Sequence, residues 1–227
     1  MLKNIEWKPF IAGSLAAILV TAFFVVWAEK DPQSLLRYSL EDGPVENVTA
    51  ALFGLACTGL IVMMFRSPLL REGKGWYRYL FLVGWALLMF VFFGEEISWG
   101  QRILGFSAPD VVAAANAQNE FNLHNLEVLQ TAKYRLLSLL MLFTGVVFPC
   151  AALFERVRAL FQRLVFPVLP MAYSGFFVCS YLYGKLYYDK VPGDGATEVR
   201  ELLMALGIFA FALHGSLRSN DVFRIRR

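Results

Sequence analysis

The chain has 227 residues, of which 58% are hydrophobic and 17% charged, and its formal net charge is +3. Soluble domains carry about a quarter charged residues, so this composition argues against a soluble fold. The small positive balance gives no reason to expect nucleic acid as a partner.

The charges cluster, and the apolar runs between them approach the roughly 20 residues that cross a bilayer as a helix. The reading is an all-α, polytopic membrane helix bundle, one integral membrane domain over 1–227. Six spans are predicted at about 9–28, 45–65, 77–99, 134–154, 164–184 and 199–217. The first run is uncharged. Trp27-Ala28-Glu29-Lys30 after it is no small-residue cleavage site, so it reads as a retained span. The second opens on Glu41-Asp42-Gly43-Pro44-Val45-Glu46, with Gly43 as N-cap, Pro44 at N1 and Glu46 at N3. The third ends in Gly94-Glu95-Glu96-Ile97-Ser98-Trp99-Gly100-Gln101. Counting from Tyr77, Glu95 falls roughly 27 Å along the helix, near the edge of the hydrocarbon, where Trp99 suits an aromatic belt.

A long connection, 100–133, follows. Ser107 is a capping residue with Pro109 and Asp110 behind it, and 109–133 reads as a helix lying on the outer interface. The next connection, 155–163, reads as a tight basic turn against lipid phosphates. Pro149, Pro167 and Pro170 mark kinks or span ends. Thr197-Glu198 is a start signal for the last span, which holds His214 near its far end. Cys57, Cys150 and Cys179 fall within spans, so no extracytoplasmic disulfide framework is expected.

Basic residues set the orientation. Lys3, Lys8, Arg66, Arg71, Lys74, Arg78, Arg156, Arg158, Arg163 and the arginines from Arg218 onward share one side of a six-span chain. The other side holds most of the carboxylates. The positive-inside rule then places both termini in the cytoplasm.

Chemistry concentrates on the acidic side. Glu95 and Glu96 end an apolar run and point about 100° apart. They read either as acid/base, ligand or metal-binding groups, or as a helix end paired with Arg102 or Arg135. The outer connection adds Asn116-Ala117-Gln118-Asn119-Glu120-Phe121-Asn122-Leu123-His124-Asn125. Glu120 and His124 are i,i+4 on one face, with Asn116 a turn earlier. Candidate catalytic residues are therefore Glu95, Glu96, His124 and Glu120. Gln101, Asn116, Gln118, Asn122, Asn125 and Glu46 are candidate substrate-binding residues. Glu46, Glu95, Glu96 and His124 are candidate ligands for a divalent cation, with Ca, Mg or Mn suited to an oxygen-rich shell.

The run from Gly94 to Gln101, followed by Asn116-x-Gln-x-Glu-x-Asn-Leu-His-Asn125, resembles a group of bacterial multi-pass membrane proteins without an assigned activity. The likeness extends to Glu41–Glu46 and implies an inner-membrane location but no reaction. Ceramidase-like membrane hydrolases need three histidines, two of them in an HxxxH pair. This chain has only His124 and His214, on opposite sides, and no HExxH, GxSxG, Walker or CxxC signature.

The expected function is a hydrolase or transferase acting on a lipid or lipid-linked headgroup at the extracytoplasmic face. Membrane lipids are its partners. A transporter or channel with an outer acidic vestibule, and a scaffold or assembly factor, are the alternatives. Reporter fusions at Glu6 and Arg227 should read cytoplasmic and one at Ala113 extracytoplasmic. A fusion at Arg227 that reads extracytoplasmic would remove the six-span count.

Overall fold

A computed structural model describes residues 6–40, 43–71, 76–110 and 130–218, and they are all helix, turn and loop, without strand. Helix α1, Trp7–Lys30, is followed at once by α2, Pro32–Ser39. The separation is local chemistry: the Asp31 carboxylate accepts the Ser34 amide at 2.9 Å, and Pro32 fills the first turn. Helix α3, Pro44–Arg66, begins at the Gly43–Pro44 start expected from the sequence. A 3₁₀ turn, Trp76–Tyr79, leads into α4, Leu80–Glu96.

Helix α5, Gln130–Leu142, continues through a π turn, Phe143–Val147, into Phe148–Ala151. The chain then bends by 116° into α6, Glu155–Leu164. The basic segment expected as a tight turn is thus a helix of its own, with Arg156 and Arg163 exposed and Arg158 buried. Helix α7, Ser174–Tyr187, follows a 3₁₀ turn, Met171–Tyr173, and α8 spans Gly195–Leu217.

The long helices alternate in direction, and their contacts show how. Phe53 of α3 meets Phe92 of α4 edge-on at 5.2 Å. Arg66, at the end of α3, donates to the Ser216 carbonyl near the end of α8 at 3.3 Å, so α3 and α8 run together. Ser180 of α7 donates to the Arg200 carbonyl of α8 at 2.6 Å. Beyond α7, Lys190 reaches Glu29 at the end of α1 at 2.8 Å, and Tyr187 donates to the same carboxylate at 3.0 Å. One end of the bundle therefore collects the ends of α1, α4 and α7 and the starts of α3, α5 and α8. The centre is α8, buried from Val199 through Ala205 and again at Ile208, Phe211 and Ala212.

Among the described residues, three helices are long and apolar enough to cross a membrane: Trp7–Lys30, Pro44–Arg66 and Trp76–Glu96. The bent pair Arg135–Ala151 and Glu155–Leu164 makes a fourth if it counts as one span. Six such spans were expected. The run at 164–184 is not one helix, because Val165 takes a left-handed conformation (φ 53°) and Pro167 and Pro170 cannot supply helical N–H groups. Helix α8 has the length, but it is enclosed by its neighbours and carries Glu198, Arg200 and Glu201 in its opening turns. In the expected outer helix, Asp110 is helical and α5 has begun by Gln130, while 111–129 lie outside the described residues.

Helix α1 packs closely where Gly13 faces the Ala172 backbone, and a Cβ there would overlap the Ala172 carbonyl oxygen. A Cβ on Gly84 of α4 meets nothing within 4 Å. Gly13→Ala should therefore destabilise the fold by about 1–3 kcal/mol through overpacking. Gly84→Ala should be neutral or stabilising by up to about 1 kcal/mol, the helix-propensity difference. Thermal unfolding of both variants in detergent checks the contrast.

Candidate functional site

The candidate site starts where α4 stops. After Glu96 the chain places Ser98, Trp99 and Gly100 at φ of 47°, 52° and 78°. Left-handed conformations cost roughly 1–2 kcal/mol at each non-glycine residue, so something must hold this turn. Trp99 holds it. Its indole N–H donates to the Glu95 carboxylate at 2.7 Å, and its ring meets Phe90 edge-on at 6.0 Å. The ring also covers Gly94, where a Cβ would come within 2.9 Å of it. Trp99 was expected in an aromatic belt. It folds back on its own helix, 36% exposed, and orients Glu95, which is buried.

The second wall comes from α8. Carboxylate oxygens of Glu96, Glu198 and Glu201 all lie within 4.8 Å of one another. Glu198 and Glu201 share a helix face at i,i+3, and Glu96 approaches from α4. The separation fits three oxygens around one cation, since Ca²⁺ binds oxygen at about 2.3–2.6 Å. Beside them, the buried Arg200 sends Nη2 to Ser138 of α5 at 2.9 Å and lays its aliphatic stem against Gly184 of α7. One guanidinium thus links α5, α7 and α8 at the level of the carboxylates.

Residues expected at the site divide into three groups. Glu95 and Glu96 are here. Glu46 is buried at the same end of the bundle, about two turns beyond Phe53 on α3, which is more than helix capping requires. Gln101 opens a single turn, Gln101–Leu104, just past Trp99. Asn116, Gln118, Asn119, Glu120, Asn122, His124 and Asn125 lie outside the described residues. Of the expected metal ligands, Glu96 alone belongs to the carboxylate trio among the described residues. Glu198 and Glu201 were missed. Glu198 reads naturally as a start signal, and Glu201 only gains meaning once α4 is laid against α8. A pair of carboxylates one turn apart, with Arg200 between them, at the head of a mostly apolar helix was the available signal. His214, read as a satisfied histidine, meets the Tyr173 hydroxyl at 3.1 Å at the far end of α8.

A cavity of about 1050 Å³ opens on this cluster. Glu95, Glu96 and Glu201 line one end of it. Its walls are apolar faces of α4 and α5, its floor includes Phe53 and Met204, and Phe81, Phe148 and Phe166 line the other end. Those last rings interlock, with Phe166 at 4.8 Å from Phe81 and 5.1 Å from Phe148. From Leu80 to Glu96 the cavity follows α4 for roughly 24 Å.

A divalent cation is the direct test of the trio. Mn²⁺ titration followed by electron paramagnetic resonance should show binding to the wild-type protein. Glu201→Gln should weaken it by at least about tenfold, the lower end of what outer-shell changes already cost. Glu29→Gln, at the Lys190 contact, should leave it unchanged. Compared with protein-family models, with curated proteins and with solved structures, the chain matches none.

Proposed function

We propose that the chain is a membrane-embedded hydrolase or transferase acting on a lipid or lipid-linked headgroup at the extracytoplasmic face of a bacterial inner membrane. The observation that carries the reading is an apolar cavity that runs the length of α4, ending in Glu95, Glu96 and Glu201. An amphiphile has that same division, with its reacting bond at the junction. In this reading α7 and α8 cross beside α1, α3, α4 and the bent α5, which makes six crossings with both termini cytoplasmic. Their alternating direction and the basic residues at one end support it.

The roles follow from the chemistry of the groups. A carboxylate or an imidazole can take or give a proton, which is what general acid/base work needs. Glu95 or Glu96 takes a proton from the attacking water or hydroxyl. His124, with Glu120 one turn before it, returns a proton to the leaving group. Gln101, Asn116, Gln118, Asn122 and Asn125 orient the headgroup, with Glu46 at the rim. Where Glu95 is the base, Glu96, Glu198 and Glu201 would hold Ca²⁺, Mg²⁺ or Mn²⁺, which would polarise the bond under attack.

The carboxylate trio also favours a second reading, an acidic entry for a transported cation. One experiment separates the two. The purified protein is incubated with a total bacterial lipid extract and products are followed by mass spectrometry, and cation flux is measured in proteoliposomes. The enzyme reading expects turnover that falls about 10²–10⁴-fold in Glu95→Gln, Glu96→Gln or His124→Asn. Flux without turnover, lost in the glutamate variants alone, would replace it with the transport reading.

A further inference from the structure

Helix α6, Glu155–Leu164, is short, yet its residues sort by face. At about 100° per residue, Val157, Leu160, Phe161 and Leu164 fall within one arc of roughly 100°, and every charged residue falls outside it. Arg156 and Arg163, seven residues apart, stand nearly in line, roughly 10 Å apart along the axis. Both are exposed, and so are Leu160 and Leu164 beside them. Exposed leucines flanked by arginines are what a helix lying in a bilayer interface presents. The location agrees. Apolar α5 ends in the 116° bend into α6, and Phe166, just past α6, packs on Phe81 in the first turn of α4 at 4.8 Å. The 3₁₀ turn before α4 holds Trp76 and Tyr77 outward, and such rings mark the headgroup level.

Arg158 on the same helix adds an independent observation. It is 8% exposed, and its Nη1 is buried with no hydrogen-bond partner. Its Nη2 stands 3.7 Å from a Glu155 oxygen, and the Glu155 side chain is 88% exposed. A guanidinium withdrawn from water needs its donors filled, and a solvated carboxylate beyond hydrogen-bond distance does not fill them. We propose that α6 lies in the membrane interface and binds anionic phospholipid, with its leucines among the acyl chains and the phosphates held by Arg156, Arg158 and Arg163. In the orientation given above this is the cytoplasmic leaflet. The site is separate from the cavity and requires no reaction there. Glu155 opposes binding with one charge against three. Arg158 reaches a phosphate by turning outward past Glu155, which breaks none of its hydrogen bonds and gives Nη1 a partner. The planar fork of arginine suits the task, since it takes two phosphate oxygens at once.

The test is native mass spectrometry of the full chain in a non-ionic detergent, titrated with dioleoyl phosphatidylglycerol and dioleoyl phosphatidylcholine. Phosphatidylglycerol should bind at least about tenfold more tightly, since each arginine beside an anionic headgroup adds roughly fivefold. Arg158→Gln should lose about fivefold in that affinity without lowering the thermal midpoint, because it removes a buried donor that has no partner. Arg156→Gln combined with Arg163→Gln should remove most of the preference. Lys190→Gln, at the other end of the bundle, should leave it unchanged. Equal binding of the two lipids overturns the proposal. So does an Arg158→Gln variant that melts earlier and keeps its preference, since Arg158 would then serve the fold alone. Displacement of the lipid by inorganic phosphate also overturns it, by making the site one for a soluble anion. A nitroxide at position 160 or 162, in a chain with Cys57, Cys150 and Cys179 replaced by serine, reads the placement in phosphatidylglycerol vesicles. The probe replacing Leu160 should be open to oxygen and shielded from a nickel chelate, and the one replacing Gln162 the reverse. Both open to the chelate would overturn the interfacial placement and give the apolar face to a protein.

Discussion

Charge next to hydrocarbon is expensive, and the rest of this structure is arranged around one place where it is tolerated. Glu95, Glu201 and Arg200 are each buried within a few turns of an apolar slot. Removing such ions from water costs several kcal/mol each unless partners replace the water. The replacement is built from separate parts of the chain. Trp99 donates to Glu95, and Ser138 of α5 accepts from Arg200. Gly184 of α7 leaves room for the Arg200 stem. The order of helices around α8 is therefore more than a way to bury leucines.

The same demand explains why α8 sits at the centre. A helix with two carboxylates and a guanidinium in its opening turns is a poor surface against lipid. Enclosed by α3 and α7, it meets side chains that can answer those charges, while α1 and α4, apolar between their ends, present Leu19, Phe23, Leu87 and Phe90 outward. The hydrophobic exterior and polar pocket are two sides of one partition.

Much of the fold was legible from periodicity and end signals. Uncharged runs located α1, α3 and most of α4, and Gly43-Pro44 set the start of α3 to the residue. What misled was continuity. The run at 164–184 is apolar throughout, yet Val165, Pro167 and Pro170 deny it one helix, and hydrophobicity does not report backbone geometry. The site was half legible for a related reason. Glu95 and Glu96 announce themselves as neighbours in the chain, whereas Glu198 and Glu201 matter only because α4 delivers Glu96 to them. Trp99 was legible only in part. Its aromatic character was plain, but three consecutive left-handed residues that turn it back could not be read from composition.

The π turn in α5 bears on how such a slot could be altered. A π turn carries one residue more than a regular helix would, and each residue rotates a helix by about 100°. Upstream of Phe143–Val147, Leu136, Leu137 and Leu140 face the slot and Ser138 meets Arg200; downstream, Phe148 lines the aromatic end. A single-residue deletion within the turn would let α5 relax into an unbroken helix, at no cost in backbone hydrogen bonds. The price would be phase: one half would swing about a quarter turn against the other. Either the leucine wall and Ser138 or the Phe148 stop would then leave its place. Length changes of one residue here are thus a switch between two helix registers, and only the longer keeps the head and tail of the cavity aligned.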